Sequence, residues 1–228
     1  MMHWEESEAP GKGAVPESVV DAVFSISCRS LPVDHAYALS QAVQRALPWF
    51  ADDESAGMHI IHIAGSGNGW ISPSDPLALL PLSRRAKLVL RVPATRTTDA
   101  RGLLGQTLDV GGNALRVEQI AWRPLARITT LFSRNVVIDA GADESGFLRT
   151  AVDQLRAMGV RPKKMMCGLT TQITTPARML RTCSLMLADI SLEESMLLQR
   201  RGLGPERKLG CGLFLPHKDI NDVRRRPE

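Results

Sequence analysis

From Val19 to Cys28 apolar and small polar residues alternate, with Val23, Ser25 and Ser27 set against Phe24, Ile26 and Cys28. This is the two-residue period of a half-buried strand. Past Pro32 the period lengthens. Ala36, Leu39, Val43 and Leu47 recur at helical spacing, which predicts a helix capped by Asp34 and stopped at Pro48. Met58 to Ala64 and Lys87 to Val92 read as two further strands, separated by the turn-rich stretch Gly65 to Trp70 and a loop containing Pro and Asp. A weaker helix from Thr97, interrupted by Gly102 and Gly105, and a strand from Leu115 to Ala121 complete the order βαββαβ.

The pattern then starts again. Val136 to Ile138 reads as a strand, and Phe147, Ala151, Leu155 and Met158 line one face of a helix beginning at Asp143. Met165 to Gly168 and Ser184 to Ala188 predict two strands joined by a long polar hairpin that carries Arg178 and Arg181. Ser191 with Glu194 makes a capping box, Arg200 and Arg201 suit the negative end of the helix dipole, and Gly202 stands where a helix stop belongs. Leu209 to Leu215 would close the second unit. The expected fold is therefore α+β, with two tandem ferredoxin-like domains at 19–127 and 128–218. A flexible leader over 1–18 and a basic tail over 219–228 would flank them.

Composition adds a direction. The 228 residues carry a net charge of +4, but residues 1–60 hold 3 Lys/Arg against 9 Asp/Glu while the remainder holds 25 against 15. Of the 28 basic residues 22 are Arg, whose planar fork matches phosphate, although a GC-rich genome would produce the same excess. Cys28, Cys167, Cys183 and Cys211 lack the spacing of a zinc site or a disulfide framework and read as reduced thiols. No apolar run reaches the ~20 residues that span a bilayer, and the acidic start does not suit a signal peptide. A cytoplasmic protein without a membrane partner is expected.

The most distinctive segment runs from Gly202 to Pro216. Glycines at 202, 204, 210 and 212 leave backbone N–H groups open, and Arg207 and Lys208 place charge at the loop tip. Such a loop can cradle phosphates. It is not a Walker A loop, because Lys208 precedes its glycine and no Ser or Thr follows for magnesium.

This helix, glycine loop and strand ending resembles the glycine-rich loop of the repeat-associated mysterious protein superfamily. Within it the chain is similar to the CRISPR repeat-processing endoribonucleases, the sixth Cas family, and most of all to their myxobacterial-type (MYXAN) variant. The likeness runs through Cys28 to Leu39, His62 to Trp70 and the glycine-rich ending, and covers nearly all of 19–218. It implies attack of a ribose 2′-hydroxyl beside a repeat hairpin, leaving a cyclic phosphate and a 5′-hydroxyl, with no metal and no cofactor. It also implies that His35, at the start of the first helix, is the acid/base.

A neutral imidazole there would serve as base, with the helix dipole disfavouring its cation and Asp34 pulling the other way. Tyr37, two residues on, points to another helix face. His59 and His62 lie on opposite faces of a strand, with His62 the reserve candidate, and Trp70 is a candidate for base stacking. Arg29, Arg84, Arg85, Arg178, Arg181, Arg207, Lys208, Gly210 and Gly212 are the expected RNA contacts. The expected partners are CRISPR repeat RNA, the mature guide and other Cas effector subunits. The rival reading is a non-catalytic guide-RNA-binding subunit on the same fold.

Overall fold

The computed structural model describes residues 18–61, 75 and 78–217. The expected leader and basic tail, His62 and the stretch Gly65 to Trp70 lie outside the described residues. The first part of the chain builds β1 (Val19–Ser27), β2 (Ser30–Pro32), α1 (Ala36–Ala46), α2 (Trp49–Asp52) and β3 (Gly57–His59). It continues through β4 (Leu79–Pro81), β5 (Lys87–Pro93), α3 (Thr97–Ala100), β6 (Thr107–Val110) and β7 (Asn113–Arg123). Five of these strands form one antiparallel sheet in the order β3-β5-β1-β7-β6. Without the added edge strand β6, this is the strand order of a βαββαβ sheet. β2 and β4 pair separately as a short ribbon.

Helix α1 forms for the reason its sequence suggests, since Leu39, Val43 and Leu47 are buried against Phe24, Leu88, Leu90 and their neighbours on one sheet face, while Ala36 is buried against the other half of the chain. Its start is different from the expectation. His35 occupies the N-cap position without a side-chain cap bond, and the Asp34 carboxylate instead accepts the Thr174 backbone N–H at 2.7 Å.

The helix expected from Thr97 is one four-residue turn, α3, between two 3₁₀ turns. Glycines at 102 and 105 and only two buried apolar side chains, Ala100 and Leu103, give it no stripe to hold longer. The strand expected from Leu115 is longer and carries a hairpin partner, β6. Gly111 and Gly112, both at positive φ (59° and 81°), supply the two-residue turn that matches strand twist.

The second part contains β8 (Leu131–Val137), α4 (Glu144–Ala157), β9 (Lys164–Thr174), β10 (Met179–Ala188), α5 (Leu192–Arg201) and β11 (Leu215–Pro216). Its sheet runs β11-β8-β10-β9, and Leu131, Val136, Leu185 and Leu187 pack under Phe147, Leu155 and Leu198 of the two helices. The capping box forms as expected, with Glu194 N–H donating to Ser191 Oγ at 3.1 Å and Ser191 N–H to Glu194 Oε2 at 2.7 Å.

Two expectations fail here. The polar stretch between the strands is itself strand, so β9 and β10 extend to a tight turn at Thr175–Arg178. The segment Leu209 to Leu215 is not a strand, because Arg207–Leu209 coil into a 3₁₀ turn and only Leu215 and Pro216 pair with β8.

Side chains of one half reach carbonyls of the other. Arg91, fully buried on β5, binds the Asp21 carboxylate and donates to the Gln199 and Phe214 carbonyls at 2.8 and 3.0 Å. Gln199 in turn exchanges bonds with the backbone of Ala126. Among the described residues three apolar clusters result: one on each sheet and a small third at the junction, where Ala36 meets Ile173, Leu180, Leu209 and Cys211.

Candidate active site and nucleic-acid interface

His35 sits at the head of α1, beside this small junction cluster. Its Nδ1 lies 2.8 Å from the Pro32 carbonyl. A carbonyl only accepts, so the neutral ring carries its proton on Nδ1 and leaves the Nε2 lone pair free. That Nε2 is buried with no partner among the described residues, and the side chain is 3% exposed. Burial lowers the imidazole pKa below its ordinary value, outweighing the carbonyls of Pro32 and Val33 and the charge of Asp34, which raise it. The group is thus a neutral, oriented base near pH 7. Tyr37, its neighbour on the helix, packs as a partly buried apolar side chain against the same cluster.

The glycine-rich segment is built differently from the expected phosphate cradle. Arg207 turns inward, donating to the Arg200 and Arg201 carbonyls at the end of α5 and to Ser55 on the other half. Lys208 donates to the Asp53 and Ala56 carbonyls, with its ammonium 4.7 Å from the Phe50 ring centroid. Burial pushes Arg207 down to about 10 and Lys208 down to about 8.

Gly210 and Gly212 are buried too. A Cβ on Gly210 would fall 3.0 Å from the Met58 carbonyl oxygen, and one on Gly212, at φ +66°, would collide with the Leu203 backbone. Arg207, Lys208 and Gly210 therefore join the two halves, whereas Gly212 packs against Leu203 within the second, and of the four only Gly210 lines the cleft between the two sheets. Helix-end carbonyls and a close backbone approach take the place that phosphates had in the sequence reading.

The remaining expected contacts are at the surface. Arg29, Arg84 and Arg85 are exposed. Arg178 pairs with Glu206 at 2.8 Å with its side chain still 62% exposed, and Arg181 is exposed, reaching the Ala142 carbonyl at 3.5 Å.

A cavity of about 340 Å³ opens between the two sheets, lined among others by His59, Arg85, Lys87, Arg123 and Arg134. Arg123 pairs with Asp21 at 3.0 Å while remaining 52% exposed, and Arg134 lies over the Phe132 ring. Neither arginine had a sequence signal beyond a lone cation on a strand. Arg134 does interrupt the buried alternation of Leu131, Ser133 and Asn135, which marks it as facing outward.

His59 Nε2 is buried without a hydrogen bond, and burial together with Arg91 holds the ring down to about 3. It is a neutral polar group in a cationic cleft. His217 only flanks the last strand, its ring 5.9 Å from that of Phe132.

Among the described residues no group of three or more His, Cys, Asp or Glu side chains is arranged to hold a metal, and the four cysteines are free thiols. No helix among them is long and apolar enough to cross a membrane.

The family model described as Cas6 CRISPR matches residues 20–219. The chain belongs to the Cas6 family. It is 30% identical over 197 residues, 86% of this chain and 81% of that one, to the CRISPR-associated endonuclease Cas6 of Myxococcus xanthus strain DK1622. Among solved structures it is similar to a CRISPR-associated protein Cas6, with a TM-score of 0.61 at 11% identity over 88% of this chain and all of that one. It is also similar to a RAMP protein described as binding different RNA substrates, with a TM-score of 0.57 at 14% identity over 86% of this chain and 98% of that one. These two structures share the mixed α/β fold of this Cas6 chain, and the Cas6 resemblance read from its sequence agrees with the family model.

Proposed function

We propose that this Cas6 protein is an endoribonuclease that cuts CRISPR repeat precursor RNA to guide RNA by metal-independent acid/base chemistry at His35. The observation that carries the reading is the His35 ring. Its Nδ1 proton is held by the Pro32 carbonyl and its Nε2 lone pair is unpartnered in a setting that keeps the ring neutral. Nε2 takes the proton of the ribose 2′-hydroxyl, and the oxygen so activated attacks the adjacent phosphorus. The 5′-oxygen leaves with a proton from an acid, giving a 2′,3′-cyclic phosphate and a 5′-hydroxyl.

Family membership and the endonuclease name of the Myxococcus relative support the substrate and the reaction. The exposed cations Arg29, Arg84, Arg85, Arg178 and Arg181 supply the phosphate contacts, joined by Lys87, Arg123 and Arg134 at the cleft. A transcript processed in the cell puts the reaction in the cytoplasm, where other Cas subunits can receive the bound guide.

One observation favours the rival reading of a guide-binding subunit without a working site. His35 Nε2 is sealed from solvent, and a base that never meets RNA does no chemistry. The test is cleavage of end-labelled repeat RNA in excess EDTA, with analysis of both product ends. Cutting that leaves a cyclic phosphate and a 5′-hydroxyl supports the proposal. A requirement for added magnesium, or a 5′-phosphate product, contradicts it.

A further inference from the structure

We infer that the tip of the β9–β10 hairpin is a displaceable cover on His35, released when an RNA phosphate takes Arg178 away from Glu206. The inference rests on the acid/base role proposed for His35. A general base has to come within about 2.6–3.2 Å of the oxygen whose proton it removes, yet His35 is 3% exposed and its Nε2 has no access to solvent. Some element must move.

The residues on both sides of His35 are held by the same element. Asp34 accepts the Thr174 N–H at 2.7 Å, and Ala36 is buried in a cluster with Ile173 and Leu180. These partners belong to the far end of β9 and the start of β10.

That end of the hairpin is built to move as a unit. β10 pairs with β8 from Thr182 onward, and the Arg181 carbonyl also accepts the Ile138 N–H at 2.9 Å, whereas Ile173–Leu180 and Thr174–Met179 pair only across the hairpin. Residues 173–180 are therefore a two-stranded ribbon projecting past the sheet, and such a ribbon is marginal by itself. Lifting it uncovers Ile173 and Leu180 but leaves the sheet ladder behind it intact. At its tip the anchor is the Arg178–Glu206 pair at 2.8 Å, with side chains 62% and 30% exposed.

An ion pair so accessible is weak, and it meets a stronger competitor when RNA arrives. A phosphate offers the guanidinium a bidentate partner, and its charge repels the Glu206 carboxylate left behind. Ligand binding at Arg178 then favours the lifted state by the difference in affinity between the two. Glu206 is a positioning residue here, acting on His35 only through the hairpin.

The experiment measures His35 directly, without requiring cleavage. Diethyl pyrocarbonate modifies accessible neutral imidazoles, and peptide mass spectrometry resolves His35 from the other histidines. Wild-type His35 should react slowly without RNA. Glu206→Gln and Arg178→Gln should each speed its modification about two- to fivefold, the range an exposed ion pair supplies, with thermal unfolding confirming intact folds.

Glu206→Gln should also raise the single-turnover cleavage rate, while Arg178→Gln should weaken RNA binding. Modification of wild-type His35 as fast as an exposed histidine overturns the cover, as does an unchanged modification rate in both variants. If neither protein cleaves RNA, the proposed activity fails while the modification rates still decide the cover.

Discussion

The guanidinium of Arg91 grips the carboxylate of Asp21 through two bonds, Nε to Oδ1 at 2.9 Å and NH2 to Oδ2 at 3.3 Å, with both side chains almost fully buried. Because the remaining Arg91 donors reach Gln199 and Phe214 on the other half, the pair fixes one sheet to the helix end of the other. Removing Arg91 leaves the buried Asp21 carboxylate with only the half-exposed Arg123 and takes the donor from the Gln199 and Phe214 carbonyls. Arg91→Leu should therefore destabilise folding by about 3–5 kcal/mol in urea titrations. A loss within about 0.5 kcal/mol, the scale of an ordinary surface change, would show that the pair does not hold the halves.

Asp21 also gives the fold an acid limit. Burial alone would raise its pKa, but Arg91 and then Arg123 outweigh burial and hold it below its ordinary value. A depressed carboxylate contributes stability that is present above the unfolded pKa, about 3.9, and lost as pH falls through the lower folded value. Stability should be independent of this group above about pH 5 and fall below about pH 4. In Asp21→Asn that part of the acid loss should disappear, as read from urea midpoints across the acid range.

Lys208 and Arg134 separate the two roles a cation can play here. Lys208 is occupied by the Asp53 and Ala56 carbonyls, whereas Arg134 lines the open cleft. Lys208→Met should lower the thermal midpoint and leave the salt dependence of RNA binding unchanged. Arg134→Ala should weaken binding and reduce the slope of log K against log salt by about 1 at most, the value expected for one phosphate contact. The reverse pattern would restore the glycine-rich loop as the phosphate cradle.

The sequence carried much of this fold, and for identifiable reasons. Helix α5 was legible because Ser191 and Glu194 reciprocate locally and Gly202 stops the helix, all within a dozen residues. The extent of β9 was hidden, since its residues from Gly168 to Gln172 are exposed and no buried alternation marks them as strand.

The loop chemistry misled for a different reason. A cation among glycines reads the same whether its acceptors are phosphates or carbonyls, and the acceptors at Asp53 and Ser55 lie some 150 residues earlier in the chain. His35 was legible through family likeness. Its proton on Nδ1 depends on the Pro32 carbonyl, and the neighbouring Asp34 is held by a hairpin far along the sequence.

The lowered pKa of His35 predicts the pH profile of cleavage. A base acts in its unprotonated form, so a pKa below the ordinary imidazole value of about 6.5 keeps the rate level down to that pH. The rate should fall only on the more acidic side. A rate that already falls as pH drops from neutrality to about 6.5 would contradict the base role.

The proposed division of labour has His35 perform the cutting chemistry without being needed to hold RNA. Its most direct test compares single-turnover cleavage and equilibrium binding of the same labelled repeat RNA by wild type and His35→Ala. Loss of a general base typically costs about 10²–10⁴-fold in rate, so the variant should bind within about twofold of wild type and cleave at least about 100-fold more slowly. Undiminished cleavage by the variant would remove His35 from the chemistry.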